Sequence, residues 1–176
     1  YNRENLIRET IESALDQTFN DYEIVIVDNK STDATYEVVK EYANNNKKIK
    51  AFQNEKNLGP VGNWEIALQK SQGEYVKFLW SDDLIDEKFL EKTVPILENN
   101  NDIGFVYTKT EIFTENSQKE VYRLGETGKY ESNTFIEGSL IDKYNVPVSP
   151  GCGFFRRKDT IIIDNIPNGF DIDHSK

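Results

Sequence analysis

Short runs of β-branched residues that alternate with amphipathic helical stretches constrain this chain more than any other feature. Glu23-Ile24-Val25-Ile26-Val27 is brief and nearly all apolar, as expected of a parallel strand covered on both faces. Ahead of it, the stretch from Glu4 to Thr18 sets Leu6, Ile7, Ile11, Ala14 and Leu15 on one helical face, with Asn2 as the cap. Behind it, Ser31-Thr32-Asp33 opens a second helix through Tyr42 that turns Ala34, Val38 and Val39 inward, and the next strand runs from Ile49 to Gln53. A loop holding Asn57, Gly59, Pro60 and Gly62 precedes a helix from Asn63 to Gln69, which Gly73 closes ahead of a strand from Tyr75 to Leu79. A helix from Glu87 to Glu98 and a strand from Ile103 to Thr108 follow. Repeated βα units of this kind predict an α/β fold with a right-handed, mostly parallel sheet flanked by helices.

The last third is less regular. Lys109 to Tyr130 is rich in Thr, Glu and Gly and suits antiparallel hairpins, and Phe135 to Tyr144 predicts a short helix. Pro147-Val148-Ser149-Pro150-Gly151-Cys152-Gly153 predicts a bent loop before the strand-like Phe154-Phe155-Arg156. The 176 residues suit a single domain with a smaller mixed C-terminal part. The chain has no Met, begins at Tyr1-Asn2-Arg3 on the threshold of a helix and ends at Asp173-His174-Ser175-Lys176 without a closing element. The expectation is therefore a truncated domain, lacking its first strand and its C-terminal end.

A net charge of -10 argues against a nucleic-acid partner, which would require clustered Lys and Arg. The single Cys152 forms no internal disulfide and fits a reducing compartment. No apolar stretch approaches the ~20 residues of a membrane span, and no signal peptide opens the chain. The expectation is a soluble, cytoplasmic protein.

Chemistry enters at Phe78-Leu79-Trp80-Ser81-Asp82-Asp83, where an apolar strand runs straight into two adjacent carboxylates. Such a pair attracts a hard cation, and the C-terminal ends of strands are where open α/β sheets place ligands. The alternative is a solvated turn that caps the following helix. Tyr1, Asp28 and Asp82-Asp83 fall along one edge of the expected sheet. Asp28 suits a hydrogen bond to a base N–H or a ribose hydroxyl, and Tyr1 offers a ring for stacking. Asp28 equally suits a local role in the Asp28-Asn29-Lys30-Ser31-Thr32-Asp33 turn.

In order and spacing, these motifs resemble the family-2 glycosyltransferases, inverting enzymes of the GT-A fold with a Rossmann-like sheet. The resemblance rests on Tyr1-Asn2-Arg3, on Ser13-Ala14-Leu15-Asp16-Gln17-Thr18, on Tyr22-Glu23-Ile24-Val25-Ile26-Val27-Asp28-Asn29 with Ser31-Thr32-Asp33, and on Asn57-Leu58-Gly59 with Asn63. Gly73-Glu74-Tyr75-Val76 leading to Ser81-Asp82-Asp83 completes it.

The resemblance implies transfer of a sugar, with inversion, from a nucleotide-sugar donor, a UDP-sugar, to a saccharide or lipid-linked acceptor. It implies that the ring matching Tyr1 stacks on uracil and that Asp28 bonds the base. Asn2, Asn57 and Asn63 belong to the same donor site, Asn63 near the phosphates and ribose. Asp82 and Asp83 match the DxD-type motif that holds the diphosphate through Mn²⁺ or Mg²⁺. Residues 1–108 become the nucleotide-binding half and 109–176 the acceptor side. Peripheral attachment at the inner face of a membrane is compatible with such acceptors, although no basic amphipathic helix supports it. Two positions depart from the pattern: Trp80 stands where many members carry a carboxylate, and Asn29 replaces a frequent second aspartate. Inversion also requires a base for the acceptor hydroxyl. Asp171 and Asp173 are the candidates, with solvated carboxylates, or a base beyond Lys176, as the alternatives. His174 suits a surface position, and Arg156 and Arg157 suit either a phosphate contact or a solvated strand edge. The competing readings are a nucleotidyltransferase, a receiver-like domain and a noncatalytic sugar-nucleotide binder.

Overall fold

The structure is a computed structural model that describes residues 1–114, 117–121, 126–141, 143–146 and 149–160. Asp171, Asp173 and His174, together with Pro147 and Val148, lie outside the described residues.

Helix α1 (Ile7–Leu15) leads into β1 (Ile24–Asp28), α2 (Thr35–Asn45) and β2 (Ile49–Gln53), and β1 pairs β2 in parallel with Ile26 opposite Ala51. Helix α3 (Gly59–Lys70), β3 (Tyr75–Lys77), α4 (Phe89–Asn99) and β4 (Phe105–Tyr107) continue the alternation. The hairpin of β5 (Thr110–Thr114) and β6 (Ser117–Val121), then α5 (Ser132–Ile141) and β7 (Gly153–Arg156), complete the order. Strand β7 returns between β3 and β4 and pairs both antiparallel, so that β3 and β4 run parallel to each other.

Two apolar clusters hold these layers. Ile7 and Ile11 of α1 meet Val38 and Val39 of α2 and Ile49 of β2, with Leu15, Ile24 and Ile26 against them. Phe89, Val94 and Leu97 of α4 meet Phe154 of β7, flanked by Tyr75, Ile103 and Val106. Each fully buried aliphatic side chain contributes about 1.5–3 kcal/mol, which makes these stripes the main cause of helix docking. Glu23 links the two sheets: its carboxylate accepts the N–H groups of Gln72 and Gly73 just before β3 and the Lys50 ammonium on β2.

Several local expectations change: β3 ends at Lys77 and not at Leu79, so the strand does not run into the carboxylates, and β4 covers only Phe105–Tyr107. Asn2 does not cap α1, which starts at Ile7 after an uncapped Leu6. Asn2 stands at φ 53° and accepts the Thr32 N–H instead. Leu6 and Ala34 are exposed because each precedes its helix, and Thr10 and Thr35 take the buried positions. Helix α3 begins four residues early, at Gly59 with φ 73°, where Pro60 fits the first turn without forfeiting a hydrogen bond. Finally, Arg156 is neither a phosphate contact nor a solvated edge. It is 4% exposed and donates to the carbonyls of Leu97, Asn100 and Ile103, closing the C-terminal end of α4.

Candidate donor-binding site

The site is assembled at the C-terminal end of β1 and just beyond β3. Where β1 ends, Asp28 is 4% exposed and both of its oxygens are engaged. Oδ2 accepts the Ser31 N–H and the Gln53 amide, each at 2.9 Å, and Oδ1 accepts the Ser31 hydroxyl. Asp28 thus shapes the 28–33 turn, in which Lys30 takes φ 63°.

Beside it, Asn29 is 5% exposed and anchors an amide network. Its Nδ2 donates to Asn57 Oδ1 (2.9 Å) and to the Gly59 carbonyl (3.1 Å), and its Oδ1 accepts the Leu58 N–H (2.9 Å) and the Asn54 amide (3.0 Å). The backbone N–H and C=O partners fix which end of the amide is nitrogen. Asn54 also donates to Asn63 Oδ1 at 2.8 Å, and Asn63 donates to the Val27 carbonyl at 3.1 Å. Asn57 and Asn63 therefore hold the start of α3 against the end of β1.

Over this floor runs the chain start. The Asn2 N–H donates to Ser31 Oγ and its side chain bonds Thr32, and the Arg3 N–H donates to Thr35 Oγ1 at 2.7 Å. Tyr1 is left 50% exposed, an available ring beside the 28–32 turn. Arg3 then reaches the other half of the site, with its Nε 3.5 Å from Asp82 Oδ2.

Asp82 and Asp83 sit in the turn after β3, where the Asp83 N–H donates to the Trp80 carbonyl. Asp83 reaches solvent, but its partial burial raises its carboxyl above the ordinary range, the neighbouring Asp82 raises it further, and the Lys77 ammonium opposes both. Lys77 is itself lowered by burial, against the pull of Cys152 and Asp83. Its Nζ donates to the Gly151 carbonyl and lies 5.3 Å from the centre of the Phe89 ring.

Two adjacent carboxylates, one of them raised by burial and by its neighbour, fit a divalent cation, which Mg²⁺-type sites hold through one or two carboxylates with substrate phosphates supplying the rest. Among the described residues, no group of three or more His, Cys, Asp or Glu gathers as a complete protein cage.

The structure thus brings Tyr1, Asn2, Asp28, Asn57, Asn63, Asp82 and Asp83 to one edge. Sequence reasoning assigned no role to Arg3, Gln53, Asn54 and Lys77. The pair Gln53-Asn54 at the end of a strand was the available signal for two of them.

The sequence profile of glycosyl transferase family 2 matches residues 1–162. A glucosyltransferase of Escherichia coli named for UDP-Glc and for an α-D-GlcNAc-diphosphoundecaprenol acceptor is 35% identical, over 66% of this chain and 45% of its own. Among solved structures, residues 1–349 of S. aureus TarS in complex with UDP-GlcNAc superimpose with a TM-score of 0.73 at 28% identity, over 89% of this chain and 43% of that one. A mannosyltransferase of Pyrobaculum calidifontis in complex with GDP-Man and Mn²⁺ gives a TM-score of 0.56 at 26% identity, over 61% of this chain and 32% of that one. The chain spans less than half the length of the curated relatives that it matches first. No helix among the described residues is long and apolar enough to cross a membrane. The mixed α/β layers are those of the GT-A fold, and the chain belongs to glycosyl transferase family 2.

Proposed function

We propose that the chain carries the donor site of an inverting glycosyltransferase that uses a UDP-sugar with Mn²⁺ or Mg²⁺ and a carbohydrate or lipid-linked hydroxyl acceptor. One observation carries this reading: the Tyr1-Asn2-Arg3 segment bridges the 28–32 turn and the Asp82-Asp83 pair, so an exposed ring and two exposed carboxylates share one edge. Nucleotide-bound TarS and the Escherichia coli relative support the uridine nucleotide, and the Mn²⁺ complex of the Pyrobaculum mannosyltransferase supports the metal.

In this reading the base stacks on Tyr1 and meets Asp28 at the turn, while Asn2, Asn57 and Asn63 hold the backbone around the diphosphate. Asp82 and Asp83 would hold the cation, which would supply positive charge opposite the departing diphosphate. The acceptor oxygen forms its bond to the anomeric carbon as the bond from that carbon to the diphosphate oxygen breaks. The hydroxyl proton passes to a carboxylate assigned to Asp171 or Asp173, and UDP leaves with the bonding pair. Residues 1–108 serve the nucleotide and 109–176 the acceptor. The protein works in the cytoplasm, at the inner face of the membrane when its acceptor is lipid-linked.

Calorimetric titration of UDP with and without Mn²⁺, on the wild-type chain and on an Asp82→Ala, Asp83→Ala double variant, tests this. Metal-dependent binding that the variant loses is expected. Binding that ignores metal, or no binding, would overturn the role of the carboxylate pair, and binding without sugar transfer would leave only a donor-binding module.

A further inference from the structure

Two cations stand against the Asp82-Asp83 pair, and they differ in what they are free to bind. Lys77 is half-buried and its Nζ is committed to the Gly151 carbonyl. Arg3 lies on the open side: its side chain is 42% exposed, and its Nε stands 3.5 Å from Asp82 Oδ2, beyond ordinary hydrogen-bond length. Within its guanidinium, Nη1 donates to the Asn2 carbonyl at 3.2 Å, and Nη2 donates to nothing among the described residues. The Asp82 carboxylate likewise accepts no hydrogen bond among the described residues. Each charge is held near the other without being satisfied by it.

The backbone fixes where this guanidinium starts. The Arg3 N–H donates to Thr35 Oγ1 at 2.7 Å and Asn2 is tied to Ser31 and Thr32, so the root of the side chain is anchored while its end is open to solvent. Charge decides what that end meets in a filled site. A divalent cation cancels the two carboxylates and no more, so a diphosphate held at it keeps its own negative charge against a chain of net charge -10. The same cation takes the Asp82 carboxylate that Arg3 faces in the empty site. A planar fork of N–H groups displaced from a carboxylate beside a diphosphate finds phosphate oxygens, which it pairs with two at a time.

We propose that Arg3 changes partner as the site fills: it faces Asp82 when the site is empty and, once a divalent cation takes Asp82, turns its N–H fork to the diphosphate of the donor. This rests on the donor-site reading above and adds a protein group that carries leaving-group charge beside the cation. A lysine at this position would supply the charge without the fork.

The test measures UDP binding in saturating Mn²⁺ by calorimetry on the wild-type chain, Arg3→Gln and Arg3→Lys, with uridine, which has no phosphate, followed by chemical-shift titration. Arg3→Gln is expected to weaken UDP by about tenfold, the size of a charge-assisted hydrogen bond, and to leave uridine as in wild type. Arg3→Lys should fall between the two. The loss of UDP should appear although Arg3→Gln binds Mn²⁺ alone more tightly, a pair of opposite signs that a merely structural contact does not produce. Uridine affinity doubles as the check that each variant is folded. UDP bound by Arg3→Gln as tightly as by wild type would overturn the proposal, since Arg3 would then serve Asp82 alone. An equal loss of uridine and UDP would overturn it too, because Arg3 would then support the turn beside the base. Failure of wild type to bind UDP at all would instead overturn the donor-site reading itself.

Discussion

The guanidinium of Arg3 stands beside the carboxylate of Asp82, Nε to Oδ2 at 3.5 Å, although the two belong to opposite halves of the site. The Arg3 backbone is pinned to the start of α2 through Thr35 Oγ1, so the side chain spans from there to the turn after β3. Both side chains are more than 40% exposed, which makes the pair a weak contributor to stability. Its meaning lies in position: Arg3 places a positive charge where the proposed divalent cation would sit, and both cannot take the same Asp82 oxygen.

Arg3→Gln is therefore expected to raise the Mn²⁺ affinity of the nucleotide-free chain several-fold while changing unfolding free energy by less than about 0.5 kcal/mol. Titration of Mn²⁺ followed by its paramagnetic signal, alongside urea unfolding, measures both. Unchanged metal affinity would mean that Arg3 does not compete for Asp82.

Acid should weaken metal binding earlier than an ordinary aspartate would. Burial first, and Asp82 second, raise the Asp83 carboxyl, with Lys77 opposing. A cation requires the ionised form, so affinity falls as pH drops toward that raised value, above the usual aspartate range. For folding the sign is opposite: the raised carboxyl is a cost at neutral pH that is relieved as pH falls through it. Asp82→Asn, by removing the like charge, should move the midpoint of residual metal binding to lower pH. A midpoint that stays in place would remove Asp82 as a cause.

Glu23 provides the reverse case in a structural role. Burial pushes its carboxyl up, but Lys50 and the N–H groups of Gln72 and Gly73 outweigh this and hold it below the ordinary value. Stability from that contact is present above the ordinary glutamate range and is lost as pH falls through the lowered value. Glu23→Gln should cost about 1–2 kcal/mol at pH 7, with the gap closing in acid. A gap independent of pH would point to packing instead of charge.

The parts legible in the sequence were those that local pattern controls. Strand β2 has the boundaries expected for Ile49 to Gln53, and Val38, Val39, Ile7 and Ile11 are buried, because alternating apolar runs and helical stripes report burial directly. The expectation that Tyr1, Asp28 and Asp82 lie along one edge came from strand ends, although β3 stops at Lys77 and Asp82 sits in the turn beyond it. Contacts distant in sequence were not legible. Phe154-Phe155-Arg156 reads as a strand but carries no sign of its antiparallel place between β3 and β4. The partners of Arg156 are carbonyls at Leu97, Asn100 and Ile103, and no local pattern announces a side chain that caps a helix more than fifty residues earlier. Asn29 was read only as a replacement for an aspartate, whereas its neighbours require an amide.

That requirement gives the most specific prediction. Asn29 donates to Asn57 Oδ1 and to the Gly59 carbonyl while accepting from the Leu58 N–H and from Asn54, so both ends of the side chain are in use inside a nearly closed site. A carboxylate there keeps the two accepting contacts but turns an oxygen toward the Gly59 carbonyl, which has no proton to offer. Asn57 can rotate its amide to donate; the backbone carbonyl cannot. Asn29→Asp is thus expected to destabilise the fold by about 1–3 kcal/mol at neutral pH, and to recover part of this in acid, where a protonated carboxyl donates to Gly59. Because the same network sets the start of α3, UDP affinity should fall with stability. Urea unfolding at pH 7 and pH 4.5, compared with wild type, decides the point: an unchanged midpoint at pH 7 would mean that this position tolerates either side chain and that the amide network does not hold α3 to β1.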